Sequence, residues 1–139
     1  MSIIKLLISL SLIILSLNIT ANEILECAKK QIGKPYVPGG KDPKRGFDCS
    51  GLAYYCHKPL NIGYSPSAQA SKNKIRVKDR KPGDLLFFAC GGKGISHTVI
   101  YIGNDEFIEA PKPGMKVRRH KFTKYYCGGK IVSASRYWK

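Results

Sequence analysis

The stretch "FDCSGLAYYC" sets Cys49 directly after an aspartate and directly before Ser50 and Gly51. A thiol attacks an amide carbonyl only as the thiolate, and an unperturbed cysteine is mostly protonated at neutral pH. The N-terminus of a helix favours the anion, because its unpaired N–H groups and macrodipole attract negative charge. Asp48 can cap such a helix, which would put Cys49 in the first turn with its own amide available to an oxyanion. Gly51 would then let a substrate backbone approach closely. The competing reading is a buried helix cysteine that faces Leu52 and Tyr55.

A cysteine hydrolase also needs an imidazole, and the chain has three histidines. His57 falls two turns along the same helix, too far down the axis to reach Cys49. His120 follows "KVRR" in a basic run and reads as solvated. His97 opens the apolar run "HTVIYIG", where its ring would stand at a sheet end and face the helix start. An imidazole in turn needs an orienting partner. Glu109 in "FIEAP" lies one run further on, and a hairpin turned by "IGNDE" would bring it beside His97. A surface carboxylate is the alternative, though the flanking Ile108 and Ala110 make an ordinary exposed position less fitting.

These residues need a scaffold. "NEILECAKKQIGKPY" carries Ile24, Cys27, Ala28 and Ile32 at helical spacing, with Gly33 as the stop and Pro35 beyond it. "VPGGKDPKRGF" reads as loop. A second helix opens at Asp48 and ends before Pro59, and a short third one is expected around Ala68. From Arg80 onward, "DLLFFAC", "HTVIYIG", "EFIEAP", "MKVRRHKF" and "KIVSASRYW" are short apolar runs broken by turn residues, hence strands. Helices followed by consecutive strands predict an α+β domain with helices packed on an antiparallel sheet. The 139 residues allow one such domain.

The first residues belong elsewhere. After Lys5, "LLISLSLIILSL" has no charge and is followed by "NITA". Residues 1–21 therefore read as a secretory signal peptide cut after Ala21, with residues 22–139 as the exported domain. A retained anchor is disfavoured, because Ile3 to Ile19 is shorter than the roughly 20 apolar residues needed to span. Export makes disulfides available, and five cysteines leave one unpaired. If Cys49 is that one, three pairings are open to Cys27, Cys56, Cys90 and Cys127. The combination of Cys27–Cys56 with Cys90–Cys127 is preferred. No metal site is expected, since no Cys-x-x-Cys occurs and Cys56 with His57 cannot easily chelate one ion.

The chain has 24 Lys and Arg against nine Asp and Glu, a formal charge of +15, or +14 without the leader. Such a field favours anionic partners, an acidic cell-wall polymer among them. The basic residues are scattered and no RNA-binding aromatic motif or zinc finger is present, so no nucleic-acid partner is expected.

"GKPYVPGG", "FDCSGL", "KPGDLLFF", "SHTVIYIG" and "FIEAP", in this order and spacing, resemble the signature of the NlpC family of papain-like cysteine peptidases across about residues 24–137. The resemblance implies a papain-like NlpC fold, with N-terminal helices packed on a five- or six-stranded antiparallel sheet. It implies Cys49 as nucleophile, His97 as base, and Tyr36 as a tyrosine near the thiol that polarises the scissile carbonyl or shapes the oxyanion site. Asp48, Ser50 and Ser96 match positions that line the cleft. Many members carry a second histidine where this chain has Glu109, a role that a carboxylate can fill.

No cofactor is implied. The activity implied is that of a secreted DL-endopeptidase, acting on bacterial peptidoglycan between D-glutamate and the diamino acid of the stem. The sequence leaves two alternatives. One is an amidase that cuts between the sugar lactyl group and L-alanine. The other is a noncatalytic basic secreted protein that binds walls or membranes, with Cys49 held in a disulfide.

Overall fold

The structure, a computed structural model, describes residues 18–139, so the apolar run of the expected leader lies outside the described residues. Helix α1 (Ala21–Gln31) is capped by Thr20, whose side chain accepts from the Glu23 amide, and it buries Ile24, Ala28 and Gln31. Ile32, expected on that face, falls beyond the last turn and is 45% exposed. The chain turns away there because Gly33 adopts a left-handed φ of +96°.

The Gly- and Pro-rich stretch expected to be loop contains a two-residue pairing of β1 (Lys41–Asp42) with β2 (Gly46–Phe47). Helix α2 follows at Cys49–Cys56 and the short α3 at Pro66–Ala70. Six strands then complete the domain: β3 (Lys74–Ile75), β4 (Leu85–Phe88), β5 (His97–Gly103), β6 (Glu106–Glu109), β7 (Arg118–Lys121) and β8 (Ser133–Ser135). They form one sheet in the order β3-β8-β4-β5-β6-β7, antiparallel throughout. All five expected runs are strands, and β3 is the sixth.

Strand β4 is apolar and buried at every position because both faces of the sheet are covered. Leu85 and Phe87 of β4 join Ile100 and Ile108 in packing against Ile24, Ala28, Leu52 and Ala53 of the helices. Leu86 and Phe88 point the other way, with Val99, Phe107 and Ala134, beneath Val77, Phe122, Tyr126 and Ile131. Each large side chain buried this way is worth about 1.5–3 kcal/mol. A continuous apolar run is what two covered faces require.

Asp84, one residue before β4, is fully buried. It accepts from Arg136 Nε and Nη2 and from Trp138 Nε1, each at 2.8 Å, and from the Lys81 amide. A buried carboxylate has to be paired, and this one staples the C-terminal segment to the start of the central strand. The disulfides fall as preferred, with Cys27–Cys56 joining α1 to α2 and Cys90–Cys127 crossing the second face, and Cys49 is left as a free thiol.

The residues before α1 belong to this packing. Ile19 is 3% exposed in the helix-side core, its carbonyl accepts from the Lys139 amide, and Thr20 provides the cap. A cut after Ala21 would remove all three contributions. A chain beginning at Asn22 should therefore be about 2–4 kcal/mol less stable than one beginning at Asn18, by urea denaturation, from a lost cap and a lost buried isoleucine. Equal midpoints would show that residues 18–21 add nothing to the fold.

Candidate active site

Asp48 fixes where α2 begins. Its Oδ1 accepts from the Gly51 amide at 2.7 Å, and its Oδ2 reaches across to the Gly39 amide at 3.0 Å. One carboxylate thus caps the helix and pins the preceding loop to it. The expectation that Gly51 opens space for substrate is corrected. A Cβ at Gly51 would lie 1.9 Å from the Gly40 carbonyl oxygen, so the missing side chain makes room for the protein's own loop. Ser50 is 4% exposed and its carbonyl accepts from Gln69 Nε2 at 2.9 Å, which places it beneath the helix start.

Cys49, half-buried, opens the helix with its Sγ 4.0 Å from the Ser96 carbonyl oxygen. Ser96 is exposed, and its hydroxyl accepts from the Cys90 amide at 3.1 Å, holding the turn that leads into β5. His97 is the first residue of β5 and is 6% exposed. Its Nε2 lies 2.8 Å from Glu109 Oε1. Burial alone would lower the pKa of His97, but the hydrogen bonds and charges of Cys49 and Glu109 outweigh it and raise the value to about 9. The ring is therefore an imidazolium at neutral pH.

Glu109 is fully buried. Oε1 accepts from His97 and from the Tyr126 hydroxyl, while Oε2 accepts from Arg118 Nε at 3.0 Å and forms an ion pair with Arg118 Nη2 at 3.0 Å. Burial pushes this carboxyl up, and the hydrogen bonds from His97 and Tyr126, with the charges of His97 and Arg118, more than reverse the effect and hold it below its ordinary value. The Tyr126 phenol is pushed upward by burial and then by Glu109, so it stays a donor.

Neither Arg118 nor Tyr126 was indicated by the sequence. Arg118 is the cross-strand neighbour of Glu109 in the β6–β7 pairing, and only that register could have revealed it. Tyr126 comes from a 3₁₀ turn (Tyr126–Gly129) tied down by the Cys90–Cys127 disulfide.

Tyr36 reaches the site because its backbone bridges to Phe47 and its amide donates to the Met115 carbonyl. Its phenol is pushed up first by burial and then by the negative fields of Cys49 and Asp48. The other two histidines lie outside the group. His57 is fully buried, Nδ1 is 2.7 Å from the Ala53 carbonyl, and burial pushes its pKa down to about 4, so it is neutral. His120, expected to be solvated, is half-buried against the rings of Phe107 and Tyr126. Among the described residues no group of three or more His, Cys, Asp or Glu could hold a metal ion.

A thiol at a helix start, facing an imidazolium braced by a buried carboxylate, is equipped for acyl transfer. The family model described as "NlpC/P60 family" matches residues 33–136. The chain belongs to the NlpC/P60 family. It is 36% identical over 116 residues to Murein DD-endopeptidase MepH of Escherichia coli, covering 77% of this chain and 42% of that protein. To the Gamma-DL-glutamyl hydrolase of Bacillus subtilis it is 43% identical over 94 residues, covering 64% of this chain and 23% of that protein. The chain spans less than half the length of the curated relatives it matches. Among solved structures, the NlpC/p60 domain of the peptidoglycan hydrolase SagA superposes with a TM-score of 0.73 at 37% identity, covering 85% of this chain and 99% of that one. NlpC/P60 proteins are cysteine peptidases that act on peptidoglycan, and the papain-like α+β fold is theirs.

The raised pKa of His97 stabilises the fold below pH 6.5, and the contribution is lost as pH rises toward about 9. In an imidazole ¹⁵N NMR titration, His97 should change charge near pH 9, and Cys49→Ser should move that midpoint downward by removing one of its two supports. A midpoint at the ordinary histidine value in the unaltered protein would contradict the coupling.

Proposed function

We propose that this domain hydrolyses peptidoglycan stem peptides at the bond between D-glutamate and the diamino acid. The observation that carries the reading is the Cys49–His97–Glu109 arrangement, in a domain that matches the SagA NlpC/p60 domain over nearly all of that domain's length. Cys49 attacks the amide carbon as the thiolate, its proton being the one held by the His97 imidazolium, and the resulting oxyanion is held by the Cys49 amide and the Tyr36 phenol. The His97 imidazolium protonates the leaving amine, whose C–N bond breaks as the thioester forms. A water that gives its proton back to His97 then hydrolyses the thioester, releasing the acid and the free thiol. Glu109 keeps the imidazole in the orientation and charge state that both half-reactions use.

Several facts support the choice of bond and place. A relative is named for γ-DL-glutamyl hydrolysis. The free carboxylates of wall fragments suit a domain with so large a positive charge, an attraction that salt would weaken. The expected leader fits an enzyme whose substrate lies outside the cytoplasm. Cys49 is a free thiol, whereas a purely binding protein was expected to hold it in a disulfide.

The name of MepH specifies a DD bond, so the products decide between the two. Mass spectrometry of purified peptidoglycan after incubation with the protein, beside Cys49→Ala, should show stems newly ending at D-glutamate, with matching free amines on the diamino acid, that the variant does not produce. New termini at D-alanine would assign the DD bond, freed L-alanine amines the amidase reaction, and intact stems would overturn the hydrolase reading.

A further inference from the structure

A cleft of about 370 Å³ opens beside His97, and neither Cys49 nor Tyr36 lines it. Pro111, Met115 and the Cys90–Cys127 disulfide form its apolar walls, while Lys112, Arg118 and Tyr126 bring polar groups to it. Its charge is one-sided. Glu109 lies fully buried behind Arg118 and does not line the cleft, nor does any other carboxylate. Arg118 donates Nε to Glu109 and ion-pairs with it through Nη2, but its side chain is 35% exposed and Nη1 makes no hydrogen bond among the described residues. Lys112 is exposed, and no carboxylate among the described residues lies within ion-pairing distance of it. Lys112 has no carboxylate partner, while Arg118 and the His97 imidazolium share the single carboxylate of Glu109, so the cleft keeps a net positive charge on apolar walls and forms a receptor for a carboxylate.

The place of the cleft says which carboxylate. His97 delivers its proton to the leaving amine, so the residue that carries that amine must come to the His97 side of the reaction centre. Resting on the function proposed above, we infer that this cleft binds a carboxylate of the leaving diamino acid, with Lys112 as the specificity-determining residue and the outer edge of Arg118 as its partner. A diamino acid whose side chain ends in a carboxylate beside its amine, such as meso-diaminopimelate, satisfies the two cations. Lysine, whose side chain ends in an ammonium alone, is repelled by them. The main-chain carboxylate of a stem that ends at the diamino acid presents the same group on the carbon that bears the leaving amine. Arg118 already braces Glu109, so its cation is shared between the buried carboxylate behind it and the cleft it lines.

Four tripeptides separate the possibilities: L-Ala–γ-D-Glu followed by meso-diaminopimelate or L-lysine, each with its main-chain terminus free or amidated. Rates are measured for the unaltered protein and for Lys112→Ala, Lys112→Glu and Lys112→Arg, exposed changes that leave Cys49, His97 and Glu109 untouched. The diaminopimelate peptides should be preferred through KM. Lys112→Ala should raise KM for them by roughly 5- to 20-fold with kcat little changed, as expected for losing one charge-assisted contact in a partly solvated cleft. Lys112→Glu should raise KM further, and Lys112→Arg should keep the preference. A preference that follows amidation of the main chain instead identifies the terminal carboxylate as the occupant and supports the same receptor. Equal cleavage of all four peptides, unchanged in Lys112→Ala, would overturn the receptor and leave the hydrolase intact. Cleavage of none by the folded, unaltered protein would overturn the hydrolase reading and the receptor with it.

Discussion

A carboxylate with no exposure to water is the constraint on which the sheet half of this site is built. Burying an unpaired charge costs many kcal/mol, and Glu109 avoids that cost only because donors converge on it from three elements. His97 comes from the start of β5, Arg118 from the facing position on β7, and Tyr126 from the turn closed by the second disulfide. Each is fixed by a different part of the fold. The β6–β7 register, the covering of the second sheet face and the Cys90–Cys127 bond therefore all bear on the orientation of one imidazole. Removing one donor would leave the others but unbalance the charge, which is why such networks behave as units.

The helix half is held by other means. Asp48 fixes the first turn of α2, the bare Gly51 lets the Gly40 carbonyl pack against it, and the Tyr64 hydroxyl donates to the Gly39 carbonyl at 2.6 Å. Gln69 from α3 holds the Ser50 carbonyl from below. The Cys27–Cys56 disulfide ties the far end of the helix to α1. The two halves meet because α2 packs on the β5 face of the sheet through Leu52, Ala53 and Ile100. The thiol and the imidazole thus belong to separately braced pieces of backbone. Preorganisation of this kind lets a weak nucleophile act without reorganising its surroundings.

The parts of the site legible in the sequence are those whose signal is local. Cys49 follows a capping residue, and His97 and Glu109 occupy strands joined by a short turn, so periodicity and turn chemistry bring them together. The two covered faces of the sheet explain why its strands stand out as apolar runs. Arg118 lies beyond the long Pro- and Gly-containing loop after β6, and Tyr126 in an irregular turn, where no period carries information about contacts. The misreadings have the same origin. Gly51 reads from sequence as room for substrate because the loop of Gly39 and Gly40 that fills its space lies across a tertiary contact. His120 reads from sequence as solvated because its basic neighbours hide the aromatic face on which it packs. The two-residue β3 and the β1–β2 pairing are too short to have a period of their own.

The most direct test of the role given to the buried carboxylate is the turnover of Glu109→Gln on a stem peptide, with the fold checked by circular dichroism and thermal melting. Glutamine keeps the shape and one acceptor but removes the charge that supports the imidazolium. A folded variant whose kcat falls by about 10² to 10⁴ is the expected result, by comparison with loss of the carboxylate in related triads. A fall of less than about threefold would show that His97 does not depend on Glu109, and would remove the carboxylate from the reaction.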